Sequence, residues 1–193
     1  VMVFSIQALN ASQHLSKLGS KKLSDFIAQT GPIEIPCRYG EDPLMGLCRI
    51  VIGQQLSGRA AQAIWTRIET QFPTRNARLL AFQAADVALE GVSKSKTKTL
   101  QAIALVGEKG LNQIASLSPQ ERDARLIALK GIGPWTVAMW NLFVLGEPDC
   151  WSDGDLILKR ISNQFAAEIG IDREQWIACA SPFRSYLALY LWA

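Results

Sequence analysis

The order of apolar and polar segments along the 193-residue chain predicts helices throughout its length. Apolar, helix-like segments are separated at regular intervals by Ser, Asp, Gly and Pro, the residues that begin and end helices. No run of alternating β-branched residues is long enough to predict a strand. We therefore expect an all-α fold.

Capping residues predict where these helices lie. The strongest starts are Asp42 before Pro43, Ser57, and Ser118, which opens a capping box ending at Glu121. Asp153 is expected to cap a later helix. The predicted segments are 20–29, 43–53, 57–71, 84–89, 95–108, 119–130, 134–146, a helix after 153, and a last helix opened at 181–182.

Composition and charge restrict the function. The chain is 49% hydrophobic and 19% charged, and no apolar run approaches the roughly 18 residues that a membrane span needs. The first fifteen residues show no basic leader, so a secretory signal is not expected. The net charge of +3 permits a polyanionic partner without requiring one. The cysteines Cys37, Cys48, Cys150 and Cys179 and the single His14 form no metal-binding pattern, which indicates reduced thiols.

The segment LKGIGPWT at 129–136 predicts a helix, a tight hairpin and a second helix. Gly131 suits a left-handed helix end, Gly133 precedes Pro134 at the next helix start, and Ile132 ties the turn to the core. The free amides of a helix start can bind a phosphate without reading base sequence. Taken alone, the segment could equally be an ordinary turn between helices.

Four further segments change that interpretation. They are IGQQLS at 52–57, GVSKSK at 91–96, DGDL at 153–156 and PFRSY at 182–186. Together with the hairpin, in this order over about 43–192, they resemble the helix-hairpin-helix (HhH-GPD) DNA glycosylases, and most of all the alkyl-purine (3-methyladenine glycosylase II) branch. The resemblance implies one domain over 1–193 with two helical lobes, about 1–52 plus 165–193 and about 53–164, and a cleft between them that holds a flipped base.

The resemblance also implies the site chemistry. It assigns catalysis to Asp155, an ionised carboxylate in the first turn of the helix that Asp153 caps, which would stabilise an oxocarbenium-like sugar or orient water. Trp135 stands where bifunctional members carry a Schiff-base lysine, so we expect hydrolysis alone. Trp135 could stack on a cationic base or be a core residue, and Phe183 and Met139 are expected to line the base pocket.

Several residues are expected to contact DNA. Gln55 would fill the gap left by the flipped base, with Leu56 as an adjoining wedge. The other expected contacts are Ser57, Lys94, Lys96, Lys130, Gly131, Gly133 and Arg184. The resemblance further implies a Na⁺ or K⁺ on the carbonyls of Lys130 and Ile132. No other cofactor is expected, and because Cys179 stands alone, no iron–sulfur cluster.

The expected function is removal of alkylated purines, such as 3-methyladenine and 7-methylguanine, to leave an abasic site for base excision repair. We expect the protein to be a monomer that binds damaged double-stranded DNA and does not associate with a membrane. A non-catalytic DNA-binding module and a glycosylase/lyase for another lesion class remain alternatives. The expected location is cytoplasmic, at the nucleoid in a bacterium or in the nucleus of a eukaryote.

Overall fold

A computed structural model describes residues 4–36, 42–84 and 87–193. This part of the chain contains eleven α-helices and no strand, so the all-α prediction is confirmed. The helices are α1 Ile6–Leu15, α2 Lys21–Thr30, α3 Pro43–Gly53, α4 Gly58–Gln71, α5 Arg75–Gln83, α6 Lys94–Ala115, α7 Pro119–Ile127, α8 Pro134–Phe143, α9 Leu156–Ile169, α10 Arg173–Cys179 and α11 Arg184–Trp192. None of these helices is long and apolar enough to cross a membrane.

The chain forms two compact units. The central unit is Arg38–Trp140, and the terminal unit combines Val1–Cys37 with Asn141–Ala193, so that the division falls within α8. The lobe limits expected from the sequence differ from these, because they put 38–52 with the terminal segments and 141–164 with the central one. In the structure α3 packs against α4 and α6, and α9 packs against α10 and α11.

Three helix starts lie close to the predicted ones, and at two of them, Asp42 and Ser57, the predicted capping residue is the cap. The side chains of Ser20, Asp42 and Ser57 accept hydrogen bonds from main-chain amides in the first turns of α2, α3 and α4. These bonds satisfy amides that have no partner inside the helix.

Other boundaries were wrong. The predicted helix at 84–89 is absent over the described residues 84 and 87–89, and α5 lies earlier, where Thr74 caps it by accepting from the Ala77 amide. Helix α6 is capped by Ser93 rather than Ser95 and continues to Ala115, across non-helical geometry at Gly107. In both cases the capping hydroxyl, that of Thr74 or Ser93, lies earlier in the sequence than the predicted start of the helix.

Two further differences concern α7 and α11. The Ser118 hydroxyl donates to the Glu121 carboxylate at 2.6 Å and makes no side-chain bond to a main-chain amide, so the two residues of the predicted capping box contact each other instead of capping the helix in the expected way. The last helix begins at Arg184 rather than at 181–182. The short helix α10, capped by Asp172, was not predicted.

Each unit has its own apolar core. In the central unit α3 is buried along most of its length, and the buried Trp140 indole donates to the Pro43 carbonyl at 2.9 Å. In the terminal unit the buried Trp176 stacks on Phe165, and its indole donates to the Leu18 carbonyl. Both tryptophans thus combine a large buried area with a satisfied N–H, and each bond ties two distant segments of its own unit together.

Candidate functional site

The first glycine of the hairpin is required by the fold. Gly131 has φ of +89°, a left-handed conformation that residues with a Cβ rarely adopt. A Cβ added there would lie 2.0 Å from the Thr99 hydroxyl oxygen on α6. The next residue, Ile132, is buried at 6% exposure, as predicted for the residue that ties the turn to the core. The hairpin is therefore packed tightly against α6 at this point.

The second glycine has no such explanation within the protein. An added Cβ at Gly133 would meet no atom within 4 Å, and its φ lies outside the left-handed region. Its carbonyl accepts from the Val137 amide as α8 begins. Lys130, on the other side of the turn, is exposed. The outer surface at Gly133 is thus open to a molecule that approaches the main chain closely.

The loop between α3 and α4 is a tight turn that presents Gln55 to solvent. The Leu56 amide donates to the Gly53 carbonyl at 3.2 Å, Gln54 has φ −51° and ψ 132°, and Gln55 has φ +57°. These values match a type II turn, whose third residue needs a positive φ. Among the described residues Gln55 is the one non-glycine residue with a positive φ. Such a conformation costs on the order of 1 kcal/mol and persists where surrounding contacts impose it.

Two side chains connect this turn to its surroundings, one from within the turn and one from α6. The Gln54 amide nitrogen donates to the Gly131 carbonyl at 3.1 Å and to the Thr136 hydroxyl at 2.8 Å. The Lys96 ammonium donates to the carbonyls of Ile52 at 2.8 Å and of Gln54 at 2.7 Å. Burial lowers the pKa of Lys96 from its usual value. The structure therefore brings the turn, the hairpin and the start of α6 together.

The remaining expected DNA contacts of this unit are exposed, whereas its two expected pocket residues, Trp135 and Met139, are not. Lys94 is exposed, and Leu56 is 39% exposed beside Gln55. The Ser57 hydroxyl caps α4 by accepting from the Ala60 amide. Trp135 is half-buried, and Met139 is 6% exposed, so it is a buried residue of α8. That these two residues contact a base stays a prediction.

In the terminal unit, Asp155 caps α9. The expectation that Asp153 is the cap and Asp155 lies in the first turn was wrong, because α9 begins only at Leu156. One oxygen of Asp155 accepts from the amides of Ile157 and Leu158 at 3.0 Å each. The indole nitrogen of Trp192 lies 3.4 Å from the same oxygen. The proposed catalytic carboxylate is thus positioned by two main-chain amides and an indole.

The neighbouring carboxylate Asp153 has other partners. It accepts from the Arg173 guanidinium at 2.6 Å and from the Trp151 indole at 3.2 Å. The Arg173 hydrogen bond, helped by Trp151 and by nearby positive charge, holds the pKa of Asp153 below its usual value. Asp153 therefore fixes the loop before α9 against α10.

Arg184, an expected DNA contact, is engaged by the protein itself. Its guanidinium donates to both carboxylate oxygens of Asp149 at 2.8 Å each. Burial raises the pKa of Asp149, but the hydrogen bonds from Arg184 and Ser181 outweigh this and keep it below the usual value. The Ser185 hydroxyl donates to the Glu147 carbonyl at 2.6 Å. The start of α11 thus holds the acidic loop at 147–155.

Aromatic rings surround the start and end of α11. Phe183 is half-buried, with its ring centroid 5.5 Å from that of His14 and 6.1 Å from that of Tyr186. Trp192 stacks on Phe143 at 5.9 Å. Sequence reasoning missed Trp192 because it closes an apolar helix in which nothing distinguishes an indole that binds Asp155 from one in the core.

No metal centre is evident within residues 4–36, 42–84 and 87–193, where no group of three or more His, Cys, Asp or Glu side chains could hold an ion. Among the described residues, Cys48, Cys150 and Cys179 are not joined in disulfides. Cys37 lies outside the described residues.

Two proteins of one organism are similar to this chain over most of its length. No protein-family model matches the chain. It is 32% identical over 167 residues to DNA-3-methyladenine glycosylase 1 of Schizosaccharomyces pombe, covering 79% of this chain and 72% of that protein. It is 28% identical over 199 residues to the alkylbase DNA glycosidase-like protein mag2 of the same organism, covering 94% and 91%.

A solved structure is also similar over nearly the whole chain. It is the Schizosaccharomyces pombe 3-methyladenine DNA glycosylase Mag1 in complex with abasic DNA, with a TM-score of 0.76 and 28% identity over 95% of each chain. The fold of this chain is therefore similar to that of a protein whose structure was solved in complex with DNA.

Proposed function

The chain belongs to the family of DNA-3-methyladenine glycosylases, and we propose that it binds duplex DNA and hydrolyses the N-glycosidic bond of alkylated purines. The enzyme is an alkylbase DNA glycosylase. Its product is a free base and an abasic site, so it begins base excision repair. The single observation in the structure that carries the mechanism is the position of Asp155.

Asp155 lies where a negative charge is useful. It accepts hydrogen bonds from two main-chain amides at the positive end of the α9 dipole. These bonds orient the carboxylate without a long, flexible side chain as partner. As the bond between the sugar and the base breaks, its electron pair leaves with the base and the sugar becomes cationic. Asp155 stabilises that cation electrostatically, and water then adds to the sugar carbon while its proton is released. The alkylated purine is a good leaving group because it carries a positive charge before the bond breaks.

Trp135 supports hydrolysis rather than strand cleavage. An indole has no amine that could attack the sugar and form a Schiff base. Its face can instead stack on a cationic alkylated base, an attraction worth about 0.5–2 kcal/mol. That Met139 and Phe183 contribute to the same pocket stays a prediction.

DNA is bound mainly through its backbone. The open main chain at Gly133 and the start of α8 can receive a phosphate, with Lys130 beside it. The exposed Gln55 at the tip of its turn can enter the duplex and fill the place of the flipped base. Contacts of this kind are indifferent to base sequence, as a search for scattered lesions requires.

The hairpin also offers a place for a monovalent cation. The carbonyls of Lys130 and Ile132 are neutral oxygen ligands of the kind that Na⁺ and K⁺ accept, and the carbonyl between them already receives the Gln54 amide. A bound cation would add positive charge beside the phosphate.

Base release from methylated duplex DNA tests this function directly. The enzyme is incubated with DNA treated with a methylating agent, and free bases are separated by chromatography, with unmethylated DNA as the control. We expect 3-methyladenine or 7-methylguanine and no unmodified base. Binding of duplex without release of any base would instead support a DNA-binding module.

A second assay separates hydrolysis from lyase chemistry. Borohydride is added during turnover, and the protein is examined for a covalent DNA adduct. We expect none, since the hairpin carries an indole at residue 135. A trapped adduct would support a glycosylase/lyase.

A further inference from the structure

We propose that Lys96 and Gln54 are positioning residues for the tip of the α3–α4 turn: they hold the turn in its type II form and join it to the hairpin, so that Gln55 projects in the orientation needed to fill a gap in the duplex. This rests on the proposed function, since it assumes that Gln55 enters DNA. It assigns to Lys96 a role different from the direct DNA contact expected from the sequence.

The geometry of the turn gives these contacts their meaning. Type I and type II turns differ mainly in the orientation of the central peptide, which rotates by roughly 150° between them. In this turn the central peptide joins Gln54 to Gln55, and its oxygen is the Gln54 carbonyl. In the type I form that oxygen would point elsewhere, and Gln55 would take an ordinary negative φ. The Gln55 side chain would then leave the turn in a different direction.

Lys96 binds that carbonyl. Its ammonium donates to the Gln54 oxygen at 2.7 Å and to the Ile52 oxygen at 2.8 Å. The first bond fixes the central peptide, and the second fixes the end of α3 from which the turn departs. Lys96 is half-buried on α6, whose Ser93 cap fixes the start of the helix. A charged donor on a rigid helix therefore opposes relaxation to the type I form.

Gln54 supplies the second connection. While its carbonyl binds Lys96, its side-chain amide donates to the Gly131 carbonyl and the Thr136 hydroxyl. Thr136 is 2% exposed, so this acceptor is itself fixed by packing. The turn and the phosphate-binding hairpin are thus held at a fixed spacing, and a protein seated on a phosphate presents Gln55 at one place along the duplex.

Binding of two duplexes tests the proposal without depending on catalysis. One duplex carries a single tetrahydrofuran abasic analogue, the other is undamaged, and each affinity is measured by fluorescence anisotropy at one salt concentration. The quantity compared is the ratio of the two affinities, because a uniform loss of charge cancels in it. We expect Gln55→Ala to lower this preference for the gap, and Lys96→Met to lower it about threefold to tenfold.

A double-mutant cycle separates positioning from general damage. If Lys96 acts through Gln55, Lys96→Met has little further effect in the Gln55→Ala background. Lys98→Met is the matched control, since it removes one exposed positive charge from the same helix. It should weaken binding to both duplexes equally and leave the ratio unchanged. Thermal unfolding of every variant establishes that it is folded.

Gln54→Leu provides an independent variant if Lys96→Met does not fold. It removes the amide donor and should lower the ratio in the same background-dependent way.

The outcomes are separable from those of the base-release assay. An unchanged ratio in folded Lys96→Met or Gln54→Leu protein overturns the proposal, and so does an equal loss in both Gln55 backgrounds. A wild-type protein with no preference for the gap overturns it too, even if bases are released. The expected ratios without base release would leave the proposal standing and reject the proposed catalysis.

Discussion

The hairpin at residues 129–136 is positioned by uncharged contacts, whereas the acidic loop at residues 147–155 is positioned by ion pairs. The hairpin relies on a left-handed glycine packed on Thr99 and on the amide of Gln54. The acidic loop relies on guanidinium groups bound to Asp149 and Asp153. The first arrangement depends on shape, and the second depends on charge.

The two regions also divide their roles differently. In the hairpin, Gly131 serves the fold and Gly133 is the proposed phosphate contact, so separate residues carry the two roles. In the acidic loop, Asp155 carries both, because it caps α9 and is the proposed catalytic carboxylate. Substitutions can therefore separate structure from function easily in the hairpin, but in the acidic loop only if the replacement keeps the cap.

Asp155→Asn is such a replacement and should have the largest effect on the rate of base release. Asparagine caps a helix about as well as aspartate, so the unfolding free energy should change little. Loss of the negative charge should reduce single-turnover base release by about 10²–10³-fold. Asp153→Asn is the matched control and should retain release. Equal release by wild type and Asp155→Asn would remove Asp155 from its proposed role.

Gly131→Ala should affect stability most. The new Cβ would overlap the Thr99 side chain and would impose a left-handed conformation on alanine, at a cost of about 2–4 kcal/mol. Urea denaturation measures this loss. Thr99→Ala in the same chain should restore part of it by removing the hydroxyl. No restoration would show that the backbone conformation alone accounts for the loss.

Gly133→Ala should leave stability nearly unchanged and weaken DNA binding. Because nothing in the protein lies near an added Cβ, the unfolding free energy should stay within about 0.5 kcal/mol of wild type. A methyl group that keeps a phosphate away from the main chain should weaken duplex binding about tenfold, since losing one such contact costs about 1.4 kcal/mol. Unchanged affinity for duplex DNA would argue against a phosphate at this turn.

Asp149→Asn tests the dependence of the acidic loop on charge. The folded-state pKa of Asp149 is lowered, so its ion pair with Arg184 stabilises the protein fully above the ordinary value of 3.8 and less as the pH falls through the folded-state pKa. The wild type should exceed the variant by about 1 kcal/mol at neutral pH, a modest value because both side chains are partly exposed. Denaturant titrations should show the difference shrinking below about pH 4. Gly131→Ala should show no such trend.

Residue patterns predicted the hairpin better than the acidic loop. Gly131, Ile132 and Pro134 lie as expected because each answers to a local rule of chain geometry. Asp153 was predicted as the cap in place of Asp155 because both are good capping residues, and the sequence does not reveal that Asp153 binds Arg173, twenty residues away.

Long-range contacts explain the other differences. That Lys96 and Arg184 contact DNA stays a prediction, but nothing in the sequence indicated their partners within the protein, the carbonyls of the α3–α4 turn and Asp149, which lie more than thirty residues away. Charge in a sequence does not reveal whether a solvent molecule, a phosphate or a carbonyl will be its partner. The Gln54 contacts were missed because their acceptors, both in the hairpin, also lie far away in the sequence.

The left-handed conformation of Gln55 means that thermostability and the proposed function favour different residues at this position. Glycine at this position would relieve the strained φ by about 1 kcal/mol, and the greater freedom of glycine in the unfolded chain offsets part of that gain, so a screen for melting temperature alone gives no reason to keep glutamine here. A glycine variant would have no side chain for the proposed insertion into the duplex. Engineering for robustness would thus need a screen on damaged DNA to retain this glutamine.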